Sequence, residues 1–440
     1  MKKDKIFIQI ASYRDNQLLP TIKNCIANAC HPDNLVFCIC WQHSDEDTWD
    51  RLDEFYSSDE DKGKTDEGKT DEGTGTKFII IDVDAKLSKG ACWARNQIQQ
   101  KYADEEYTLQ LDSHHRFVPN WDVALISILR KLQSEGYPKP LLTSYIPSFN
   151  PENDPAERVL TPWKMNFDRF IPEGPVFFLP SDISNYEKLT GPIKARFYSA
   201  HFCFTLGEFC REVQHDPDLY FHGEEITIGV RAYTWGYDLF CPHRVFAWHE
   251  YTRKYRKKHW DEHSEWQIQN REAQLRVRKL LGIDGLKCDI DFGKYGLGTV
   301  RSLTDYERYA GIKFETRGVQ QYTLDHNLPP NPTVDEDKYD DSFVKIFRHC
   351  INIHFSSVPE TDYDFWVVIF ENETGTSIYR EDASVDEINR MKQERERDKD
   401  NGFYNLWRTF KYINKPPHKY IVWPHSKSAG WCNKIEGHLF

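Results

Sequence analysis

Apolar and polar positions alternate along the first half of the chain in a way that predicts strands and helices taken in turn. Ile6 to Ile10 form an apolar run short enough for a strand. Ile22, Cys25, Ile26 and Ala29 then fall at i, i+3, i+4 and i+7, one helical stripe, with Pro20 tolerated near its start. Leu35 to Trp41 is continuously apolar, as expected of a strand covered on both faces. Strands at Phe78 to Val83 and Tyr107 to Leu111, a helix at Ala91 to Lys101, a helix after Pro119 carrying Leu125, Ile128, Leu129 and Leu132, and a strand at Leu141 to Ile146 continue the series. Four or five such units predict an α/β fold built on a mostly parallel sheet.

After Asn150 the chain is rich in proline and aromatic residues. Extended segments are expected at Val176 to Leu179, Arg196 to Thr205 and Arg244 to Trp248. Helices are expected at Leu206 to Val213, Glu224 to Tyr233 and Trp260 to Leu281, the last closing a main domain over residues 1–282. Residues 57–76 hold KTDEG twice in tandem and almost nothing that enters a core, which reads as a disordered insertion. Residues 283–341, with Pro329, Pro330 and Pro332, read as a linker or extension. Strand-like runs at Phe343 to Phe347, Phe365 to Phe370 and Tyr420 to Trp423 predict a small β-rich domain over 342–440, with a charged, exposed helix at Val385 to Lys399.

A chain of 440 residues with 39% hydrophobic content is long enough for one main domain and an appendage. The formal charge of −12 argues against nucleic acid or an anionic membrane as partner, since both need clustered Lys and Arg. No stretch approaches the roughly 20 apolar residues of a membrane span, and the N-terminal run is too short for a signal-peptide core. Eleven cysteines, an odd number without a CxxC pair and partly inside apolar segments, disfavour a disulfide framework and a structural zinc site. A cytoplasmic setting is the expectation.

The most informative stretch is Tyr107 to Phe117, where an apolar strand delivers Asp112, Ser113, His114 and His115 at its C-terminal end. Ligands of open α/β sheets bind just beyond those ends. Residues two apart on extended backbone share a face, so Asp112 and His114 can meet on one cation while His115 points elsewhere. Carboxylate plus imidazole suits Mn²⁺, with Mg²⁺ or Zn²⁺ less natural. The other reading is a polar strand end with no ligand.

A later stretch, Asp218 to Tyr251, ends in a predicted strand with His249 just past it, a candidate third ligand that leaves coordination positions open for a diphosphate. His222, His243 and His259 are rivals for that place. Glu224 and Glu225 fall in the first turn of a helix, where the dipole favours negative charge. One of them facing a sugar and accepting from its hydroxyls is the functional alternative. On the other side of the predicted site, Ile10 to Asp15 follows the first strand and Gly90 to Asn96 opens the helix after the third. Main-chain N–H groups at that helix start, with Arg95 nearby, suit a phosphate. Ser12, Arg14 and Asp15 are candidates for the uracil or ribose. Neither segment is a Walker loop or G-x-G-x-x-G.

Together, D-S-H on a strand end, S-Y-R-D and G-x-x-x-A-R-N upstream, then H-G-E-E and W-H downstream resemble the cytoplasmic N-acetylglucosaminyltransferases that modify hydroxyproline on an adaptor subunit of ubiquitin ligases. More distantly the chain looks like the polypeptide N-acetylgalactosaminyltransferases. The likeness covers about residues 5–280; the 57–76 segment and everything past 282 lie outside it, and no lectin-type trefoil repeat is visible. It implies a GT-A fold, a UDP-sugar donor, Mn²⁺ and retention of anomeric configuration. Carried over residue by residue, it implies Asp112, His114 and His249 as metal ligands and Glu224, then Glu225, as the donor-sugar acid. Arg95, Gly90, Ser113, Ser12, Arg14 and Asp15 fall on the nucleotide side. A polypeptide or glycan hydroxyl is the implied acceptor.

Two readings from other classes compete. A zinc hydrolase would use the histidines to activate water, but H-E-x-x-H is absent. A non-catalytic carbohydrate-binding protein would use the aromatic residues, 14% of the chain, as stacking surfaces.

Overall fold

Strand runs that are apolar on both faces can be covered only by helices on both sides of a sheet, and the structure is built that way. A computed structural model describes residues 4–47, 52, 69–71, 73–252, 256–397 and 402–439. One nine-stranded sheet runs, edge to edge, Ile193–Lys194, Asp238–Cys241, Pro140–Thr143, Phe202–Leu206, Tyr107–Leu111, Ile6–Tyr13, Leu35–His43, Lys77–Asp84, Lys69–Thr70. Ile6–Tyr13 is parallel to Leu35–His43 on one side, from Ile6 opposite Leu35 to Tyr13 opposite Gln42, and to Tyr107–Leu111 on the other. Both partners therefore end at the same rim of the sheet, and the loops after them face each other there.

The sheet is parallel-rich, as expected, with antiparallel strands added to it. Phe202–Leu206 runs antiparallel to both Tyr107–Leu111 and Pro140–Thr143. The helices Leu18–Ala27 and Trp121–Ser134 bury Leu18, Ile22, Cys25, Trp121, Leu125 and Leu129 against Ile8, Ile10, Phe37 and Leu109 in one core cluster. On the opposite face Cys92, Ala94 and Ile98 of Ala91–Gln99 are buried, the last two against Phe7, Val36 and Cys38. The predicted helix over Trp260 to Leu281 is two, His259–Glu262 and Trp266–Leu281, because His263 between them is extended at φ −113° and ψ 99°.

The insertion expected over 57–76 lies outside the described residues at 57–68 and 72. Its end forms an edge strand, Lys69–Thr70, antiparallel to Lys77–Phe78. The Asp71 carboxylate accepts from the Thr74 N–H, and Gly75 at φ +75° makes the turn. All eleven cysteines are free, seven of them buried, with Cys30 and Cys288 exposed. No helix among the described residues is long and apolar enough to cross a membrane.

The chain divides into two compact units, residues 1–317 with 322–333, and residues 318–321 with 334–440. The segment read as a linker or extension over 283–341 carries a helix, Leu303–Ala310, whose Ser302 and Asp305 form a reciprocal cap and whose Tyr306 and Ala310 are buried in the first unit. The second unit is β-rich. Phe343–His354 pairs antiparallel with Phe403–Tyr412, and Tyr363–Glu371 pairs with both Ser377–Ser384 and Lys419–Ser426. Its core gathers Ile351, Trp366, Val368, Phe370, Leu406 and Val422. The helix Val385–Arg397 is not wholly exposed as expected: Ile388 and Met391, three apart, give it one narrow apolar stripe that enters this core.

Trp121 is fully buried and its Nε1 donates to the Cys25 carbonyl at 3.0 Å, joining the two helices of one face. Trp121→Ala leaves both a cavity and an unpartnered carbonyl, and it should cost about 3–5 kcal/mol. The check is a lower urea midpoint by circular dichroism for the transition of the first unit.

Candidate functional site

The central strand ends at Leu111, and the chain bends through Asp112 to His114 before a second short strand, His115–Phe117. That strand pairs antiparallel with Ala247–His249, Phe117 opposite Ala247, Arg116 opposite Trp248 and His115 opposite His249. The register is closed at its end by Glu250 N–H donating to the His114 carbonyl at 3.1 Å. A local pairing thus carries His249 across 137 positions of sequence to Asp112, with His249 Nε2 3.3 Å from Asp112 Oδ2. His114 Nε2 lies 3.7 Å from the same oxygen. One ligand atom from each of Asp112, His114 and His249 lies within 4.8 Å of the others.

Their surroundings suit a cation. His114 Nδ1 lies 2.7 Å from Asp15 Oδ2, so its N–H is turned to that carboxylate and its Nε2 lone pair toward Asp112. Burial pushes His249 well below its ordinary value, against the bond to Asp112, so the ring is neutral as a ligand must be. Burial pushes Asp112 the other way, but the bond to His249 and the charge of Arg95 outweigh it and hold the carboxylate well below its usual range. One hard oxygen with two imidazoles fits a cation such as Mn²⁺.

Asp15, read from sequence as a nucleotide residue, also accepts from Ser113 Oγ at 2.7 Å and from the Gln17 N–H at 2.8 Å. Burial raises it, but His114 and Arg256 together hold it down at about 2. Ser113 is likewise turned to Asp15. Both serve His114. Ser12 is buried with its hydroxyl unpartnered, and its carbonyl accepts from Gln42 Nε2 at 3.0 Å. Arg14, at φ +47°, is clamped by Asp47 through Nε at 2.9 Å and Nη2 at 2.7 Å and by Glu262 through Nη1 at 2.5 Å.

Gly90 is the residue before the helix Ala91–Gln99, at φ +102°, and a Cβ there would come within 3.2 Å of the Tyr220 ring. The positive φ strains any side chain there, and no side chain caps the helix start. From the next turn, Arg95 reaches Asp112 Oδ1 with Nη2 at 2.6 Å and Glu224 Oε1 with Nη1. Burial raises Glu224, but Arg95 and His215 overrule it and hold the carboxyl at about 2. Glu225 differs. Its oxygens accept from the Ala200 N–H at 3.0 Å and from Tyr145 Oη at 2.7 Å, yet burial pushes it up to about 7.

Several residues of this cluster were not singled out from sequence. His201 stacks on His249 at 4.3 Å between ring centroids, and burial takes it down to about 3, so it adds no charge. His215 contacts Glu224, and Arg256 lies against the His114 ring with Nη1 3.3 Å from Asp15 Oδ2. Arg256 had a signal: it belongs to a run of five basic residues between positions 253 and 258 in an acidic chain. His201 and His215 had none, since each enters through long-range packing. The rivals His222, His243 and His259 are not in the trio that converges on Asp112; His259 accepts from Tyr220 Oη at 2.7 Å instead.

Among solved structures, the chain is similar to GalNAc-T7 crystallised with UDP, GalNAc and Mn²⁺, at 14% identity and a TM-score of 0.44 over 63% of this chain and 48% of that one. It is also similar to residues 1–349 of S. aureus TarS with UDP-GlcNAc, at 11% identity and a TM-score of 0.34 over 59% and 61%. The chain thus spans about half the length of the first and three-fifths of the second. No curated protein sequence matches it significantly. The sequence profile that does match takes in residues 5–316, the bulk of the first unit with every residue of the cluster above, and by that match the chain belongs to the glycosyltransferase (GlcNAc) family.

Proposed function

We propose that this chain is a retaining, Mn²⁺-dependent glycosyltransferase that moves a sugar, GlcNAc before others, from a UDP-sugar to a hydroxyl of a polypeptide or glycan. The observation that carries the reading is the meeting of Asp112, His114 and His249, with Arg95 on Asp112, in a chain of the glycosyltransferase (GlcNAc) family. The hydroxyproline acceptor rests on the resemblance of the sequence motifs. Mg²⁺ is the second choice of cation.

Asp112, His114 and His249 would hold the cation, which when bound neutralises charge on a diphosphate. Asp15 holds the His114 ring in the tautomer that points a lone pair inward. Arg95 sits between Asp112 and Glu224, aimed before any substrate arrives. Fixed donors of this kind stabilise charge on a departing UDP at no reorganisation cost. The N–H groups at the start of Ala91–Gln99 add a partial positive charge. Glu224 is the first choice and Glu225 the second for accepting from the sugar's hydroxyls. In front-side transfer the departing phosphate itself takes the acceptor's proton, so no separate base is required.

Asp112→Asn and His114→Ala should each lower Mn²⁺-dependent hydrolysis of UDP-GlcNAc at least about 100-fold in a UDP-release assay. Calorimetry should show UDP binding strengthened by Mn²⁺ in the parent chain and not in the variants. Undiminished turnover by His114→Ala removes the cation assignment.

Glu225 gives a second test. Its carboxyl is raised from 4.5 to about 7, so the unfolded chain releases this proton first as pH rises. Its contribution to stability is therefore complete below pH 4.5 and lost as pH climbs through about 7. In Glu225→Gln that part of the decline between pH 4.5 and 7 should vanish from a series of thermal midpoints, and an unchanged slope would contradict the neutral acid.

A further inference from the structure

Behind the cluster, a chain of hydrogen bonds fixes one proton by elimination. Gln110 precedes Asp112 by two residues, and its amide orientation is set by Nε2 donating to the Ala200 carbonyl at 2.7 Å. Its Oε1 therefore faces His215 Nε2, 2.6 Å away. An amide oxygen only accepts, so Nε2 of His215 carries a hydrogen. His215 is fully buried, and its other nitrogen, Nδ1, lies 2.9 Å from Glu224 Oε1 in a contact of ion-pair length and has no hydrogen-bond partner. A neutral imidazole protonated at Nε2 presents a lone pair at Nδ1, and a carboxylate presents another. Two lone pairs this close in a dry interior repel, and a proton on either atom relieves them.

The groups facing His215 decide which atom keeps it. From the helix Ala91–Gln99 come Arg95 and Cys92, and from Glu224–Thr234 come Glu224 and Arg231. Burial draws the imidazole below its ordinary value, with Glu224 opposing. Arg95 donates to the same Oε1, however, and makes Glu224 the poorer base. Nitrogen is the holder that leaves every donor with an acceptor.

We propose that His215 is a positioning residue whose Nδ1–H neutralises Glu224 and so leaves the charge of Arg95 free for a nucleotide diphosphate. With the proton in place, the His215–Glu224 pair carries no net charge. Without it, Glu224 cancels Arg95, and the side of the cluster meant for phosphate loses one positive charge. This rests on the glycosyl-transfer reading for its consequence, and on the contacts of the two ring nitrogens for the proton.

Two substitutions separate the two nitrogens. The amide of His215→Asn overlays Nδ1 and can donate to Glu224, whereas that of His215→Gln overlays Nε2 and reaches only Gln110. In the full chain with Mn²⁺, UDP-GlcNAc hydrolysis should fall about ten-fold or more in His215→Gln and stay within about three-fold of the parent in His215→Asn. The reverse order, or equal activity in both, overturns the proposal, because a purely structural role through Gln110 is rescued by Gln and not by Asn. Histidine-selective ¹⁵N NMR of the full chain at pH 7, with the His215 signal identified by its loss in whichever variant folds, should show a proton on each ring nitrogen. A bare Nδ1 overturns the proposal. A cation could bridge the same gap, since Cys92, His215 and Glu224 bring ligand atoms within 4.8 Å of one another. A second, tightly held metal that disappears in Cys92→Ser would therefore also overturn it. If the parent chain hydrolyses no UDP-sugar, the transfer reading fails while the NMR result still decides the proton.

Discussion

The cluster depends on three residues of antiparallel pairing. His115–Phe117 and Ala247–His249 form a ribbon apart from the main sheet, and its register, with the bridge from His249 to Ser148 on the other side, decides whether the ring of His249 reaches Asp112. A shift by one residue would turn that ring to the opposite face and put Trp248 in its place. The ribbon is fastened where slippage would start. Thr21 accepts from the His115 N–H at 2.8 Å and Asn24 from the Phe117 N–H at 2.8 Å, while Val118 N–H donates to the Phe246 carbonyl at 3.1 Å. The helix Leu18–Ala27 thus does more than cover the sheet: two of its polar side chains pin the strand on which the site is built.

The parallel core sets where this happens. Strands buried on both faces have to stop where the chain must meet solvent, and three neighbours stop at one rim. Charge then sorts itself by pairing. Arg14 is held by Asp47 and Glu262, Arg95 by Asp112 and Glu224, and Arg256 lies by Asp15 and Glu250. Acids and arginines alternate through the cluster, so each of these three arginines has opposite charge beside it.

Much of this could be read from the sequence wherever the deciding interaction was local. Leu35 to Trp41 and Tyr107 to Leu111 announce buried strands by composition, and the helical stripe at Ile22, Cys25 and Ile26 needs no partner to be seen. Asp112 and His114 follow from their place at a strand end. His249 could be nominated but not distinguished from His222, His243 and His259 on pattern, because its position comes from a pairing between short segments far apart. Asp15 and Ser113 show a different limit: both lie in the cluster, but only coordinates reveal that they face a histidine. His215 and His201 sit in segments whose pattern was spent on strands and turns, and nothing local marks them. The charged helix at Val385 hid the two apolar residues it buries for the same reason, since Ile388 and Met391 are lost among ten polar neighbours.

The thiols of the core add a chemical side to this stability. Seven cysteines are shielded by packing and none is bonded to another. Opening the first unit exposes all seven together, and in an oxidising medium each can be drawn into a wrong disulfide while the chain is open. Reversibility of unfolding is therefore set by the redox state of the solution as much as by temperature, and a reductant belongs in any measurement that assumes the chain can return.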